Sequence, residues 1–247
     1  MTDFWLAIIA DIHGNTWALD TVLEDIERRG IKQIVNLGDC CYGPLDPAGT
    51  AERLTQRQDI LTIRGNADRM VTHPALPASP TVDYTRSQLS AAQITWLAAL
   101  PATASLPSGL FLCHGTPTSD EEYLLEEVTP SGVVLRKTEE IVQLAEGSNQ
   151  PVILCGHTHI PRVVALPNHR LIINPGSVGM PAYTEDEPFP YKMESGSTHA
   201  RYAILSVDFD RWVVEQVMLP YSWESASRAA EANGRPDWAR WIASGRG

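Results

Sequence analysis

The sequence is poor in cysteine and in positive charge, and it contains no long apolar run. Four cysteines among 247 residues suggest no disulfide framework and fit a reducing cytosol. The formal net charge of -11 argues against nonspecific binding to nucleic acid or to an anionic membrane. No apolar run could span a bilayer, and no basic region precedes an apolar stretch near Met1. We therefore expect a cytoplasmic protein without a membrane segment or a signal peptide.

What the chain does contain is an early alternation of strand and helix patterns. Short apolar runs predict five buried strands: Leu6–Ala10, Gln33–Leu37, Asp59–Ile63, Gly109–Cys113 and Pro151–Cys155. Apolar residues at helical spacing predict a helix that begins at Thr16 and ends at a Gly30 C-cap. The order strand, helix, strand is typical of a βαβ unit, so we expect these strands to be parallel.

The remaining segments are assigned from their local patterns. Helices are predicted for Ala51–Gln56, Arg86–Leu100, Val134–Ala145 and, interrupted near Gly234 and Pro236, Ser222–Ile242. Irregular structure is predicted for Val71–Asp83, for an acidic exposed loop with a helical turn at Thr118–Thr129, and for a polar loop at Pro181–Ser197. Short links, including a hairpin turn at Asn168-His169, predict an antiparallel second half with strands Arg162–Leu166, Arg170–Ile173, Arg201–Val207 and Trp212–Leu219.

Each of the five early strands is followed by residues that can bind a metal ion. In chain order these are Asp11 and His13, then Asp39, Asn66, His114, and finally His157 and His159. Ligands of open α/β sheets gather outside the carboxyl ends of the strands, so we expect the seven side chains to converge. Seven donors are more than one ion needs, and they suit two ions that share a carboxylate.

These motifs resemble those of the calcineurin-like metallophosphoesterase superfamily. The matching series is Asp11-Ile12-His13-Gly14-Asn15, Gly38-Asp39, Gly65-Asn66, His114-Gly115 and Gly156-His157-Thr158-His159. Two further stretches, Tyr42-Gly43-Pro44 and Asn174–Gly179, are similar to the small bacterial and archaeal phosphodiesterase branch, which is often labelled diadenosine-tetraphosphatase-related. We read the second of these stretches as a turn that supports the site.

The resemblance implies an α/β fold, a four-layer αββα sandwich of two mixed β-sheets flanked by helices. It covers essentially the whole chain. We therefore expect one domain over residues 1–247, with a helical insertion around 72–101 and a C-terminal helical segment at 221–247.

The resemblance also implies roles for the seven donors. One metal ion would be held by Asp11, His13 and His159, and the second by Asn66, His114 and His157, with Asp39 between them. A hydroxide bridging the two ions, held by Asp39, would attack phosphorus in line. The mixture of nitrogen and oxygen donors favours manganese, iron or zinc over calcium.

One position departs from the pattern of many relatives. Where they carry a histidine after the Gly-Asn pair, able to protonate the leaving group, this chain has Ala67, and no side-chain general acid is assigned. Asp68 is interpreted as an anchor of the loop. Arg64, Asn15 and Tyr42 are candidate substrate contacts, although a structural ion pair for Arg64 and ring packing for Tyr42 are the competing interpretations.

The resulting hypothesis is a metal-dependent phosphodiesterase or nucleotide pyrophosphohydrolase acting on a phosphorylated small molecule or a nucleotide. The alternatives are a phosphomonoesterase, including a protein phosphatase, and a non-catalytic interaction scaffold such as the retromer subunit of this fold. The intact set of seven ligands argues against a scaffold alone.

Overall fold

Two five-stranded mixed sheets and the helices on their outer faces form the computed structural model, which describes residues 4–73, 75–76, 79–209 and 211–247. The strands are β1 Trp5–Ile9, β2 Gln33–Asn36, β3 Ile60–Thr62, β4 Ala104–Leu106, β5 Leu110–Leu112, β6 Glu126–Thr129, β7 Gly132–Leu135, β8 Val152–Leu154, β9 Arg162–Ala165, β10 Leu171–Asn174, β11 Ala182–Glu185, β12 Tyr191–Glu194, β13 Ala200–Asp208 and β14 Arg211–Leu219. The helices are α1 Thr16–Arg28, α2 Pro47–Gln56, α3 Asn66–Thr72, α4 Pro80–Gln88, α5 Ala91–Ala98, α6 Thr138–Leu144, α7 Trp223–Ala232 and α8 Pro236–Ser244.

The order of strands is β14-β13-β1-β2-β3 in the first sheet and β4-β5-β8-β10-β9 in the second. Apolar side chains of β1, β2 and β13 meet those of β5, β8 and β10 in one buried cluster between the sheets. A second cluster joins α1, α2 and α5 to the outer face of the first sheet, and a third joins α6 to the outer face of the second. The expected four-layer αββα sandwich is therefore confirmed.

The predicted parallel first half is confirmed, because β1–β2, β2–β3 and β5–β8 all pair in parallel. The predicted antiparallel second half is only partly correct, because β10 also pairs in parallel with β8. Both sheets are mixed as expected, since β13 returns to the first sheet and pairs antiparallel with β1. The antiparallel pairs β9–β10 and β13–β14 are as expected. Short links fix the direction of a strand relative to its neighbour in the chain, but they do not determine which sheet that strand joins.

The helix predicted from Arg86 to Leu100 is two helices. α4 ends at Gln88, and Ser90 begins α5 through a capping box in which Ser90 Oγ accepts from Gln93 N at 3.3 Å and Ser90 N donates to Gln93 Oε1 at 2.9 Å. The Ser-x-x-Gln signature was available in the sequence. The Val71–Asp83 segment is only partly irregular, since α3 extends to Thr72 and α4 begins at Pro80. Its residues 74, 77 and 78 lie outside the described residues.

Two segments expected to be loops contain β-hairpins. β6 lies inside Thr118–Thr129 and pairs with β7, so Val134 and Leu135 are extended and the following helix α6 begins only at Thr138. Pro181–Ser197 contains the β11–β12 hairpin, in which Tyr183 and Tyr191 are buried. Their four-residue strands carry charged residues at the exposed positions, which made them resemble polar loops.

Smaller differences concern helix starts. α2 begins at Pro47 rather than Ala51, with Asp46 as its N-cap, and the short helix α3 was not predicted. The C-terminal helical segment is as expected, with α7 and α8 separated at Gly234.

That residues 72–101 are an insertion into a single domain over 1–247 stays a prediction. Among the described residues, no helix is long and apolar enough to cross a membrane.

Candidate metal centre

The carboxyl ends of five strands from both sheets meet at one edge of the sandwich. Asp11 N donates to Gly38 O at 3.0 Å, which joins the ends of β1 and β2, and Gly156 N donates to His114 O at 2.8 Å, which joins the ends of β8 and β5. The two sheets are connected where His157 N donates to Asp11 Oδ2 at 3.2 Å. Side chains from residues 11 to 159 are thereby brought to one place, as the strand pattern predicts.

Two groups of three side chains could each hold a metal ion. They are Asp11, His13 and His159, and Asp39, His114 and His157; within each group the possible ligand atoms lie within 4.8 Å of one another. Asn66 adjoins the second group, because its Oδ1 lies 3.0 Å from His114 Nε2. All seven side chains singled out from the sequence are therefore adjacent in the structure.

Asp39, a member of the second group, lies between the histidines of the two groups. Its Oδ2 is 3.7 Å from His13 Nε2 in the first group and 3.4 Å from His114 Nε2 in the second. Its Oδ1 accepts from Ala67 N at 2.9 Å, which fixes the orientation of the carboxylate. The side chain is only 3 % exposed, so water provides little competing solvation. This position allows Asp39 to contact two ions at once.

The backbone at these positions is strained. Asp11, His13, Asp39, His157 and His159 all have positive φ, between 53° and 72°. Side chains other than glycine seldom adopt this conformation, and such residues cluster at functional sites. The strain is held by close backbone packing, since a Cβ atom on Gly65 would collide with the Asp39 carboxylate. Only glycine therefore fits at position 65, which packs against Asp39.

Each of the four histidines has one ring nitrogen held by a backbone carbonyl. Nδ1 of His13 lies 2.9 Å from Tyr42 O, Nδ1 of His114 lies 2.8 Å from Leu37 O, Nδ1 of His159 lies 2.7 Å from Met180 O, and Nε2 of His157 lies 3.0 Å from Glu121 O. A carbonyl only accepts, so each of these nitrogens carries the hydrogen. In the neutral ring the other nitrogen then presents a lone pair, as in most metal-binding histidines.

The first group presents its donor atoms to a common point. The Nε2 atoms of His13 and His159 are 3.1 Å apart, and with both Nδ1 atoms protonated their lone pairs face each other. Burial, and then the neighbouring His159, lower the pKa of His13 to about 4, so its ring is neutral at pH 7. Facing lone pairs repel, whereas a metal ion between them would be bound by both. This donor set therefore fits a metal ion.

The second group holds a proton that a cation would displace. Burial lowers the pKa of His114, but the charge and hydrogen bond of Asp39, together with the Asp11 charge and the Leu37 carbonyl, outweigh burial and raise this pKa to about 10. Burial conversely opposes ionisation of Asp39, but the contact with His114, together with the neighbouring His13 and His157, outweighs burial and holds the pKa of Asp39 below its usual range. Metal ligands must be deprotonated, so binding of an ion here would release the His114 proton.

The flanking residues support the site as expected. Asp68 accepts from Cys40 N at 2.9 Å and Gly65 N at 3.0 Å, and burial together with the Asp39 charge raises its pKa to about 6. Ser177 Oγ donates to Asp11 O at 2.7 Å, and Asn174 Nδ2 donates to Gly156 O at 2.8 Å. Asp68 is therefore an anchor, and the Asn174–Gly179 turn braces two ligand-bearing loops.

The candidate substrate contacts differ in their placement. The two groups open into a cleft of about 560 Å³, and Tyr42 lines it, with its ring also packed against Trp238 at a centroid distance of 6.1 Å. Asn15 is fully buried as the N-cap of α1, and its Nδ2 donates to Gly179 O and Tyr221 Oη. Arg64 is not among the residues that line the cleft, and it forms no ion pair with any described carboxylate.

Sequence reasoning missed the aromatic wall of the cleft. Tyr123 Oη lies within 2.8 Å of the hydroxyls of both Tyr183 and Tyr191, and its ring packs against His157 at 4.6 Å. Trp238 of α8 packs edge-on against His13 at 5.8 Å. The period-two alternation of buried Tyr191 and Met193 is the signal that could have identified the β11–β12 hairpin.

Known proteins resemble this chain along most of its length. An uncharacterised protein of Methanocaldococcus jannaschii is 25% identical over an alignment 268 positions long, covering 96% of each chain. Phosphodiesterase YfcE of Escherichia coli is 27% identical over 185 residues, covering 71% of this chain and 80% of its own. A crystal structure of a metallophosphoesterase from Sphaerobacter thermophilus has the same fold, with a TM-score of 0.76 and 24% identity, covering 99% of this chain and 100% of that one.

The resemblance stated from the motifs is confirmed by a family comparison. The profile of the calcineurin-like phosphoesterase superfamily domain matches residues 5–205, which include all seven candidate ligands. The chain therefore belongs to the calcineurin-like phosphoesterase superfamily.

Proposed function

We propose that this protein hydrolyses phosphodiesters or nucleotide pyrophosphate bonds with two divalent metal ions. The observation that carries the proposal is the pair of ligand groups on either side of Asp39, at the floor of an open cleft. In this proposal Asp11, His13 and His159 hold one ion, and Asn66, His114 and His157 hold the other. Two such ions would neutralise phosphoryl oxygens and lower the pKa of nearby water.

The chain's own residues prepare the site for such a substrate. The backbone carbonyls that hold the four histidines fix the lone pairs toward the centre, so little reorganisation is needed during the reaction. The cleft, lined by members of both groups and by the aromatic wall, gives a substrate access to the centre. Imidazole-rich donors favour manganese, iron or zinc as the ions.

Two facts favour a diester over a monoester. The Escherichia coli relative, which is 27% identical, carries the name phosphodiesterase. The cleft of about 560 Å³ is also far larger than a phosphate group and has room for a substituent on each side of it.

The test is an activity screen with purified, metal-reconstituted protein. Aryl diesters, dinucleoside polyphosphates, cyclic nucleotides and monoesters are compared at equal concentration by kcat/KM. We expect the highest values for one of the first three classes. A preference for monoesters would overturn the diester assignment, and no hydrolysis in any class would favour the scaffold alternative.

We further expect the rate to depend steeply on the pKa of the leaving group. Ala67 occupies the position of the usual acid, lines the cleft, and presents only a methyl group there. Loss of a general acid typically costs about a hundredfold, and more for poor leaving groups. Aryl esters and phosphate anhydrides should therefore react well and alkyl esters poorly, which a series of diesters with graded leaving-group pKa values measures.

Ala67→His should raise the alkyl-to-aryl rate ratio if the ring reaches the leaving oxygen. The larger side chain could also obstruct the cleft and slow every substrate. Ala67→Gln is the matched control, because it adds similar bulk without a group that titrates near neutral pH. A flat dependence in the parent protein would show that another group already supplies the proton.

A further inference from the structure

The side chain of Arg69 connects two elements that carry residues of the second group. Helix α3 begins at Asn66, and Arg69 lies on it one turn later. Arg69 Nε donates to Asp120 Oδ2 at 2.8 Å, and its Nη2 donates to Asp120 Oδ1 at 2.9 Å and Glu121 Oε1 at 2.7 Å. The side chains of Arg69 and Asp120 are 23% and 16% exposed, so this bidentate pair is partly shielded from water.

The loop held by Arg69 in turn holds His157. Glu121 O accepts from His157 Nε2 at 3.0 Å, which fixes the ring so that its Nδ1 lone pair is the one available to an ion. Tyr123 follows two residues later and packs its ring on His157. Within the loop, Thr116 and Ser119 are joined by backbone hydrogen bonds, and Ser119 Oγ accepts from Glu121 N at 3.2 Å. These contacts are internal to the loop, whereas Arg69 joins the loop to α3. The position of the Glu121 carbonyl relative to Asn66, and with it the orientation of His157, therefore depends on Arg69.

The first group has no comparable dependence. His13 and His159 are held by Tyr42 O and Met180 O, and Met180 N in turn donates to the buried Ser177 hydroxyl at 2.8 Å. No described ion pair joins the segments that carry these two carbonyls. Replacing Arg69 should consequently change metal binding at the second group and leave metal binding at the first group unchanged.

We propose that Arg69 is a positioning residue that sets the spacing between Asn66 and His157 and thereby the affinity of the second ion. The inference rests on the two-ion part of the proposed function, but not on the identity of the substrate. Residues that orient metal ligands from behind typically change metal affinity about 10-fold to 100-fold when they are replaced. We expect Arg69→Gln to lower the affinity for the second ion by that factor and to leave the affinity for the first ion unchanged.

The experiment is a Mn²⁺ titration of metal-free protein, followed by elemental analysis after equilibrium dialysis. Electron paramagnetic resonance of the same samples distinguishes a spin-coupled pair of Mn²⁺ ions from a single ion. Arg57→Gln is the matched control, because Arg57 forms a similar bidentate pair with Asp59 on the surface, at 2.8 and 2.7 Å. At Mn²⁺ concentrations that fill both sites of the parent and of Arg57→Gln, Arg69→Gln should hold one ion and lose the coupled signal.

Each other outcome overturns the inference. If Arg69→Gln bound two ions with the parent's affinity, the contact of Arg69 with Asp120 and Glu121 would be unnecessary for metal binding. If the affinity for both ions fell equally, the substitution would have a general effect on folding. Arg69→Lys, which keeps the charge but not the bidentate contact, should fall between the parent and Arg69→Gln. Fewer than two ions in the parent would overturn this inference and the two-ion proposal together, whereas two ions without hydrolysis in the screen would overturn only the proposed activity.

Discussion

Replacing Asp39 by asparagine should lower kcat/KM by about a thousandfold, because this change removes a buried carboxylate whose Oδ2 faces a histidine of each ligand group. Asparagine has nearly the same shape, and its oxygen can still accept from Ala67 N. The amide nitrogen, however, would take the place of Oδ2 and present hydrogens toward the space that two cations would share. We therefore expect both ions to be held more weakly, and the measurement is kcat/KM with metal content determined in parallel.

Two comparisons make the Asp39→Asn result specific. Asp11→Asn also removes a buried carboxylate, but Asp11 Oδ1 is 3.9 Å from His114 Nε2 of the second group, farther than the 3.4 Å of Asp39 Oδ2, so the activity loss should be smaller. Asp59→Asn changes a surface residue whose partner is Arg57, and it should leave activity near the parent value. If Asp39→Asn kept two ions and near-normal turnover, the assignment of Asp39 to both ions would be wrong.

The ligand positions could be predicted from the sequence because each follows a strand end. Apolar runs that end in Asp, Asn or His place these residues at one edge of the sheets, whichever sheet each strand joins. The prediction therefore did not require knowing which of the two sheets each strand joins. It also needed no knowledge of the positive φ values at Asp11, His13 and Asp39, which are a consequence of the packing there.

The residues that hold the histidines could not be predicted in this way. Glu121 and Met180 act through backbone carbonyls, which any residue type provides, so their identity contains no signal. Arg69 looks like an ordinary helical cation, and its role depends on a partner 51 positions away. Contacts of this kind depend on tertiary packing between segments, which local patterns do not encode.

The fold was predicted best where periodicity was long and capping signals were read. Helix α1 was predicted correctly because its apolar residues recur at helical spacing over three turns. The β11–β12 hairpin was missed because strands of four residues contain too few alternating positions to show a pattern. The break between α4 and α5 was missed because the apolar residues around Leu89 and Trp96 continue across it. There the Ser90 cap outweighed the apolar pattern.

Exhaustive chelation should abolish hydrolysis altogether, which is the largest effect that we expect. Ala67, at the position of the usual general acid, contributes only a methyl group to the cleft. The side chains of the two groups are proposed ligands whose lone pairs converge. Without cations they would leave the negative charge of a phosphoester facing the buried carboxylates of Asp11 and Asp39. The measurement is the rate after removal of metal, with trace-metal content verified by elemental analysis.

Manganese should restore this activity at least as well as magnesium does. Four of the seven proposed ligands are imidazoles, whereas magnesium prefers oxygen ligands and gives up its water reluctantly. An independent readout is thermal unfolding, because an ion that binds only the folded protein adds about 2.7 kcal/mol of stability at a concentration of 100 times Kd. Manganese should raise the melting temperature by several degrees where equal magnesium does not. Full activity in magnesium alone would contradict the nitrogen-rich assignment, since a site that discriminates by imidazole donors cannot favour an ion that binds them poorly.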